Sequence, residues 1–361
     1  MKILFLGDAR SIHLQRWIEF FNRAGDKTYL ISLEKPETQV TDTIILEPKV
    51  STNSLKYLLA VSECRKIVQR INPDLVNAHF VPNYGLIGRR LNRRPLAVSV
   101  WGSDILVSAK KSWLHRVRAG WVLKGADWLT SDSLFLTEEM TKLGGDRNKV
   151  STFPMGVAPE FLSDKPKKLS DKIKLTVIST RKMESVYNLN LLISAISMVL
   201  EKSEEVNFVL VGEGSQRTKL QSQINRLGLG NRVEFTGNVR QEELVNLLRG
   251  ADIYVSTSFS DSTSVSLLEA FGSGLVPIVT DIPGNREWIR EGENGFLVPV
   301  NRSEVLAEKI IDTFRNFSCH QTMVDQNWRV VKDRANYQNN LNVLREKFLE
   351  LIEQHRSEVN G

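Results

Sequence analysis

The spacing of apolar residues changes repeatedly along the chain. Short continuous apolar runs alternate with stretches in which apolar side chains recur every three or four positions. The run at 2–7 is typical of a buried strand, and Leu14, Trp17, Ile18 and Phe21 then have helical spacing. Alternating strand and helix predicts a parallel sheet covered by helices on both faces.

This alternation occurs twice, with an interruption at 157–173 whose prolines, serines and lysines are typical of a linker. We predict an α/β domain over 1–165, a second over 166–325 and a helical segment over 326–361. Ligands of such sheets bind beyond the carboxyl ends of the strands, so the cleft between the domains is the expected site. The predicted strands are 2–7, 28–33, 74–80, 96–101, 174–179, 207–211, 233–236, 252–256 and 276–280.

Composition agrees with two ordinary globular domains: the chain has 361 residues, of which 41% are hydrophobic and 25% charged. The cysteines, Cys64 and Cys319, are too few and too far apart for a disulfide framework or a cysteine metal cluster, which fits a reducing compartment. No run approaches the length of a transmembrane helix, and 2–7 is too short for a signal-peptide core. These features predict a cytoplasmic protein.

The most informative run is the hydroxyl-rich stretch 258–266, which follows the predicted strand 252–256 and begins a helix. Small hydroxyl residues at a helix start offer backbone N–H groups and the positive end of the helix dipole, so this run predicts an anion site suited to a diphosphate. Asp261 and Glu269 bracket it. The alternative is that Ser264 or Asp261 only caps the helix.

The spacing Asp261…Glu269-Ala270, two acidic residues with seven between them, resembles the retaining glycosyltransferases of family 4, also called group 1. The resemblance extends over nearly the whole chain. It implies a GT-B fold, in which two Rossmann-like domains face a central cleft and the C-terminal helix crosses back onto the N-terminal domain. It further implies that Glu269 holds the ribose hydroxyls and that Asp261 lies near the hydroxyls of the transferred sugar.

Arg181, which follows the predicted strand 174–179, matches the phosphate-binding arginine of this family. Its planar fork would stabilise the leaving nucleoside diphosphate. The expected catalytic residues are therefore Arg181, Asp261 and Glu269, joined by His79 and Asp104 from the first domain. The other expected donor-binding residues are Gly7, Lys182, Gly212, Glu213, Gly237, Asn238, Val239, Ser264, Val265 and Ser266.

Three positions depart from the family pattern. Asp261 stands where Glu is usual, and Tyr187-Asn188 stands where many members have Lys-Gly, so that either Arg181 acts alone or Lys182 assists it. Trp101 occupies the position of the histidine in the family's His-Gly-x-Asp segment.

The first domain is expected to supply the acceptor side, because Gly7 and the helix start after it can approach a phosphate or a sugar. His79 ends a predicted strand, and Trp101 could stack on a sugar face. The alternatives are a packing role for His79 and a helix cap for Asp104. The expected acceptor-side residues are Ser11, His13, Tyr84 and Trp101, and His13 is equally compatible with a packing or capping role.

No two aspartates lie two positions apart, and the five histidines are scattered, so we predict neither a metal ion nor a cofactor. The sequence therefore suggests a retaining, metal-independent transfer from a UDP- or GDP-sugar to a glycan, a lipid-linked or a small-molecule acceptor. Such an enzyme would act in the synthesis of cell-surface polysaccharide or glycoconjugate. The alternatives are an epimerase of the same fold and a non-catalytic nucleotide-sugar binder. No recognised nucleic-acid motif is present, so no nucleic-acid partner is predicted.

Charge adds one further hypothesis. Of the net charge of +6, the excess lies in residues 1–165, which hold 24 Lys and Arg against 17 Asp and Glu. A basic, tryptophan-containing segment at 110–128 is typical of a helix lying on an anionic membrane. The alternative is a core-packed helix with a solvated basic face. The segment contains Lys110, Lys111, Trp113, His115, Arg116, Arg118, Trp121, Lys124 and Trp128.

Overall fold

The computed structural model describes residues 1–36, 41–48, 53–203 and 205–360, and it divides into two compact units. The first comprises Met1–Met155 and Gln338–Gly361, and the second Gly156–Tyr337. These boundaries differ from the expected 165/166 and 325/326. The reason is that the start of the predicted linker belongs to the second unit, where the Val157 amide donates to the Ala335 carbonyl at 2.8 Å and Phe161 is buried in the core.

The first unit is a parallel sheet with helices packed on it. All strand pairs run parallel, as the alternation predicts, in the order β3-β2-β1-β4-β5-β6-β7. In the described part of this unit the strands are β1 (Lys2–Leu6), β2 (Lys27–Ser32), β3 (Asp42–Ile45), β4 (Leu75–His79), β5 (Leu96–Ser99), β6 (Trp128–Ser131) and β7 (Val150–Thr152). The helices before the domain boundary are α1 (Ile12–Arg23), α2 (Asn53–Ile71), α3 (Leu86–Leu91), α4 (Trp113–Lys124) and α5 (Leu134–Lys142).

Helix α1 shows why the apolar spacing is decisive. Leu14, Trp17, Ile18 and Phe21 form its buried face, and Ser11 caps its first turn by accepting from the Leu14 amide. The sheet it packs on is buried at β1, whose residues 3–6 are fully shielded from water.

The second unit repeats the plan, with the parallel order β10-β9-β8-β11-β12-β13. Its described strands are β8 (Leu175–Ser179), β9 (Val206–Val211), β10 (Val233–Gly237), β11 (Ile253–Ser256), β12 (Val276–Thr280) and β13 (Phe296–Val298). Its helices are α6 (Leu189–Lys202), α7 (Arg217–Arg226), α8 (Gln241–Gly250), α9 (Val265–Gly272), α10 (Pro283–Arg286), α11 (Ser303–Arg315) and α12 (Gln321–Arg334).

The C-terminal segment consists of two helices where the sequence pattern suggests a single helical tail. Helix α12 belongs to the second unit, whereas α13 (Tyr337–Asn360) packs on the first. The Phe348 ring stacks on Phe21 with centroids 5.7 Å apart, and Arg345 pairs with the buried carboxylate of Asp26 at 2.7 Å. The predicted return of the last helix to the first domain is confirmed by these contacts.

Candidate active site

The two central strands of the second sheet define the candidate site. β8 and β11 are neighbours, and the chain proceeds from them toward opposite edges of the sheet. In parallel α/β sheets this reversal opens a crevice at the carboxyl ends of the strands. Arg181 follows β8, and the hydroxyl-rich run 258–264 follows β11 and leads into α9, so that residues distant in sequence meet there.

Arg181 is the central residue of this candidate site. One guanidinium nitrogen donates to the hydroxyl oxygens of Ser264 and Ser266, at 2.7 and 2.8 Å. The other donates to the Asp261 carboxylate at 2.5 Å. The residue is only 8% exposed, and among the described residues its Nε–H has no hydrogen-bond partner. A buried arginine with a donor left over is suited to bind an oxyanion.

Aromatic rings complete the surroundings of the guanidinium. Tyr187 lies with its ring centroid 4.1 Å from the Arg181 Cζ, and the Tyr254 hydroxyl shares a hydrogen bond of 2.8 Å with Ser266. Burial by itself would lower the pKa of Arg181, but the Asp261 carboxylate and the two tyrosines raise it above its usual value. The guanidinium therefore stays charged. Sequence reasoning noted Tyr187 only as a replaced residue and missed Tyr254, which reads as an ordinary strand residue.

The two carboxylates of the motif have different surroundings. Asp261 lies in the loop and holds Arg181, whereas Glu269 lies within α9 and is 7% exposed. Ser264 caps this helix through the Leu267 amide, so the alternative of a cap is correct for this residue. Because Ser264 also accepts from Arg181, capping and participation in the cluster are not exclusive.

The glycines at the ends of β9 and β10 approach the same edge of the sheet. The Gly212 amide donates to the Gly237 carbonyl at 2.8 Å, and both glycines have positive φ. The φ of Gly212, +121°, disfavours any side chain, and a Cβ there would lie 3.2 Å from the Arg181 carbonyl oxygen, a tight contact. The structure thus brings Gly212, Glu213 and Gly237 next to the strand end that carries Arg181.

Three other predicted donor-side residues lie at the periphery of the cluster. Lys182 and Asn238 are exposed, and Val239 is half-buried against the core. None of the hydrogen bonds that hold the Arg181 guanidinium in the described structure involves Lys182. Val265 is half-buried at the first position of α9, beside Ser266.

In the first unit, the predicted residues gather around an aromatic cluster. His13 stacks on Trp101 with centroids 5.4 Å apart, and His79 lies 5.5 Å from the same ring. Trp17, which was not predicted, contacts both His79 and Trp101. Trp17 could have been found from its position on the apolar face of α1, because this helix begins just after the carboxyl end of β1.

His79 is a buried, neutral imidazole. Its Nε2 lies 2.8 Å from the Asn77 side-chain oxygen, and its Nδ1 has no hydrogen-bond partner among the described residues. Burial, followed by the proximity of His13, lowers the pKa of His79 to about 3. These surroundings favour the packing alternative over a proton-transferring role.

Asp104 is fully buried, and its carboxylate accepts from the backbone amides of Val81 and Trp101, both at 3.1 Å. Burial raises its pKa to about 6, against the opposing effect of these amides. The contacts join the π-helical segment Phe80–Gly85 to the loop carrying Trp101, and they favour a structural role over the predicted catalytic one.

The remaining first-unit residues surround the carboxyl ends of β1 and β2. A Cβ on Gly7 would lie 2.4 Å from the Leu14 side chain and 3.4 Å from the His79 Cβ, so a helix and a strand approach closely there. Tyr84 is buried, and its hydroxyl accepts from the Leu33 amide at 2.9 Å and donates to Glu34. The position of Glu34, two residues after β2, is the signal that could have identified it.

We expect the first unit to lose stability in acid because of His79. Its folded pKa lies below its unfolded value, so the folded state resists protonation and the free energy of unfolding falls as pH drops from about 6.5 toward 3. The raised pKa of Asp104 has the opposite effect on the free energy of unfolding: between the ordinary pKa of an aspartate and about 6, protonation of Asp104 stabilises the folded state as pH drops. The His79→Gln variant should show a pH slope shallower by up to about 1.4 kcal/mol per pH unit.

Urea unfolding followed by tryptophan fluorescence tests this, because five of the seven tryptophans lie in the first unit. His115→Gln, which removes a histidine of the same unit on α4, is the control. Equal pH slopes for wild type and His79→Gln would contradict the burial argument.

Metal ligands are not clustered in the described residues: no group of three or more His, Cys, Asp or Glu side chains there could hold an ion. None of the described helices is both long and apolar enough to cross a membrane. Metal independence remains a prediction.

Comparison with known proteins decides the family. The model of the glycosyl transferases group 1 matches residues 161–327, and that of glycosyl transferase 4-like proteins matches residues 2–133. Together these matches span most of the chain, which is a glycosyltransferase with a group 1 domain over residues 161–327. This glycosyltransferase is therefore an enzyme of hexosyltransferase type, and the alternatives of an epimerase and a non-catalytic binder are not supported.

Individual relatives of this glycosyltransferase are distant. The phosphatidyl-myo-inositol mannosyltransferase of Mycobacterium leprae is 24% identical over 317 residues, which cover 84% of this chain and 83% of the relative. The GtfA subunit of a UDP-N-acetylglucosamine–peptide N-acetylglucosaminyltransferase from Streptococcus gordonii is 26% identical over 207 residues. That match covers 54% of this chain but only 39% of the relative.

Solved structures establish the fold. Anabaena HepE in complex with UDP-glucose superposes with a TM-score of 0.80 at 20% identity, covering 97% of this chain and all of that one. Two parallel-sheet α/β units with this likeness confirm the predicted GT-B fold.

Proposed function

We propose that this glycosyltransferase transfers a sugar from a nucleotide-sugar donor with retention of configuration and without a metal ion. The observation that carries the proposal is the buried cluster of Arg181 with Asp261, Ser264 and Ser266 at the carboxyl ends of β8 and β11. A charged guanidinium beside a helix N-terminus can stabilise the two negative charges of a departing nucleoside diphosphate.

In the proposed step, the bond between the anomeric carbon and the donor phosphate oxygen breaks as a bond to the acceptor oxygen forms on the same face of the sugar. The acceptor's hydroxyl proton passes to the departing phosphate oxygen. Arg181 binds that phosphate. Asp261 holds the guanidinium in place, and its carboxylate also lies near the sugar hydroxyls. Glu269 holds the ribose.

We further propose a UDP-linked donor rather than a GDP-linked one. The S. gordonii relative is named for UDP-N-acetylglucosamine, and HepE is solved with UDP-glucose. The M. leprae relative is named for phosphatidyl-myo-inositol, which supports a lipid-linked acceptor over a small molecule. The same proposal places the enzyme in the cytoplasm, in glycoconjugate synthesis, where it contacts an anionic membrane that carries the acceptor.

Calorimetric titration with UDP and GDP in chelator tests the donor class. We expect UDP to bind and GDP to bind at least about tenfold more weakly, a difference of about 1.4 kcal/mol. Tighter binding of GDP would overturn the choice of base. Binding of UDP only after addition of a divalent cation would overturn metal independence.

A further inference from the structure

The positive charge of the first unit is concentrated in one part of the sequence. Residues 75–126 contain nine Lys and Arg and a single acidic residue, Asp104, so this segment alone carries a charge of +8, more than the whole chain. Asp104 is fully buried and accepts backbone hydrogen bonds. No acidic side chain of the segment is therefore exposed to offset the basic ones.

Helix α4 places large apolar side chains in water within this segment. Trp113, Val117 and Trp121 are spaced four apart, on one side of the helix, and are 71%, 59% and 41% exposed. Leu114 beside them is also exposed. The helix is anchored by its other side, where Ala119, Val122 and Leu123 enter the core. A core-packed helix with four exposed apolar side chains is unusual for a face that meets only water.

Helix α3 adds charge beside this stripe. The guanidinium groups of Arg89 and Arg90 lie 5.2 and 5.8 Å from the centre of the Trp121 ring. Lys111 and Arg116 on the α4 side are exposed and have no ion-pair partner among the described residues. We name this surface the α3–α4 face; its members are Arg89, Arg90, Lys111, Trp113, Leu114, Arg116, Val117 and Trp121.

The structure also removes two residues that the sequence grouped with this segment. Trp128 lies in β6, where its indole N–H donates to Ser151 and its ring is covered by Lys347. His115 closes the first turn of α4 with Ser112. The inner side of α4 packs in the core and the basic residues Lys111 and Arg116 are exposed, which agrees with the alternative of a core-packed helix with a solvated basic face.

We propose that the α3–α4 face docks on an anionic phospholipid surface. Exposed tryptophans and valine enter the headgroup region, while arginines and lysines meet the lipid phosphates. A second copy of the chain fits less well, because pairing two such faces would bring like charges together. The proposal rests on the proposed function only in that docking would bring the enzyme to a lipid-linked acceptor.

Flotation of the full chain with vesicles tests the proposal. We expect binding to phosphatidylcholine vesicles that contain phosphatidylglycerol, little binding to phosphatidylcholine alone, and weakening by salt. Trp113→Ser combined with Val117→Ser should weaken binding about tenfold or more, as should Lys111→Glu combined with Arg116→Glu. Val343→Ser on α13 and Lys202→Glu on α6, both at exposed positions, are the matched controls and should bind like wild type.

Equal binding to neutral and anionic vesicles, or unchanged binding by both double variants, would overturn the proposal. So would self-association that the double variants abolish, since the face would then meet a second copy. Titration of the same variants with UDP in the absence of lipid separates this inference from the donor proposal. Variants that keep normal nucleotide affinity but lose vesicle binding would support docking. A wild type that binds UDP normally but no vesicles would overturn docking and the proposed membrane contact, and would leave the donor proposal intact.

Discussion

Replacing Arg181 by alanine is expected to lower kcat about 100- to 1000-fold, the loss typical when one preorganised donor to a developing negative charge is removed. The guanidinium is buried, charged and held by three side chains, so its geometry is set before the donor binds. Water entering the vacated space would solvate the leaving phosphate less well than a fixed cation.

Arg181→Lys separates charge from shape. Lysine keeps the charge but cannot donate to Ser264, Ser266 and Asp261 with one planar group, so we expect most of the loss to remain. Release of nucleoside diphosphate from the donor measures the rate. Thermal unfolding checks that the fold remains stable when Asp261, which is partly exposed, has lost its arginine partner. Arg226→Ala, at an exposed position of α7, is the matched control. Near-normal turnover by Arg181→Ala would exclude Arg181 from the site.

Replacing Glu269 by alanine is expected to weaken nucleotide binding by about 1.5–3 kcal/mol, the range for a hydrogen bond to a charged group. The buried position of this carboxylate within α9 is the basis for a large effect, because water cannot readily replace it. Calorimetric titration with UDP gives the affinity. Glu269→Gln should retain part of this affinity, since the amide oxygen can still accept a hydrogen bond from a ribose hydroxyl.

Glu308→Ala, on the exposed side of α11, controls for loss of a negative charge from the same unit. An affinity of Glu269→Ala equal to that of Glu308→Ala would contradict the ribose role. A lower thermal stability with unchanged affinity would assign Glu269 to packing of α9 instead.

The sequence by itself determined the order and nature of most of the described strands. The predicted strand 276–280 has the same bounds as β12, and the other predicted strands differ from the observed ones by one or two residues. The reason is local: a buried parallel strand needs a continuous apolar run, and a covering helix needs apolar residues every three or four positions. β3, β6, β7 and β13, three or four residues long, were not predicted.

The tertiary structure decided which polar residues act together. Spacing along the chain relates Asp261 to Glu269, but only the sheet brings Asp261 within 2.5 Å of Arg181, eighty positions earlier. Burial also distinguished residues that the sequence predicted to be catalytic alike. Arg181 keeps its charge in a polar cluster, whereas His79 and Asp104 are enclosed by the core of the first unit. The α3–α4 face has the same origin, because Arg89 and Trp121 lie on different helices and meet only when both pack on the sheet. Local pattern specifies helices and strands, but charge, burial and contact depend on residues far apart in the chain.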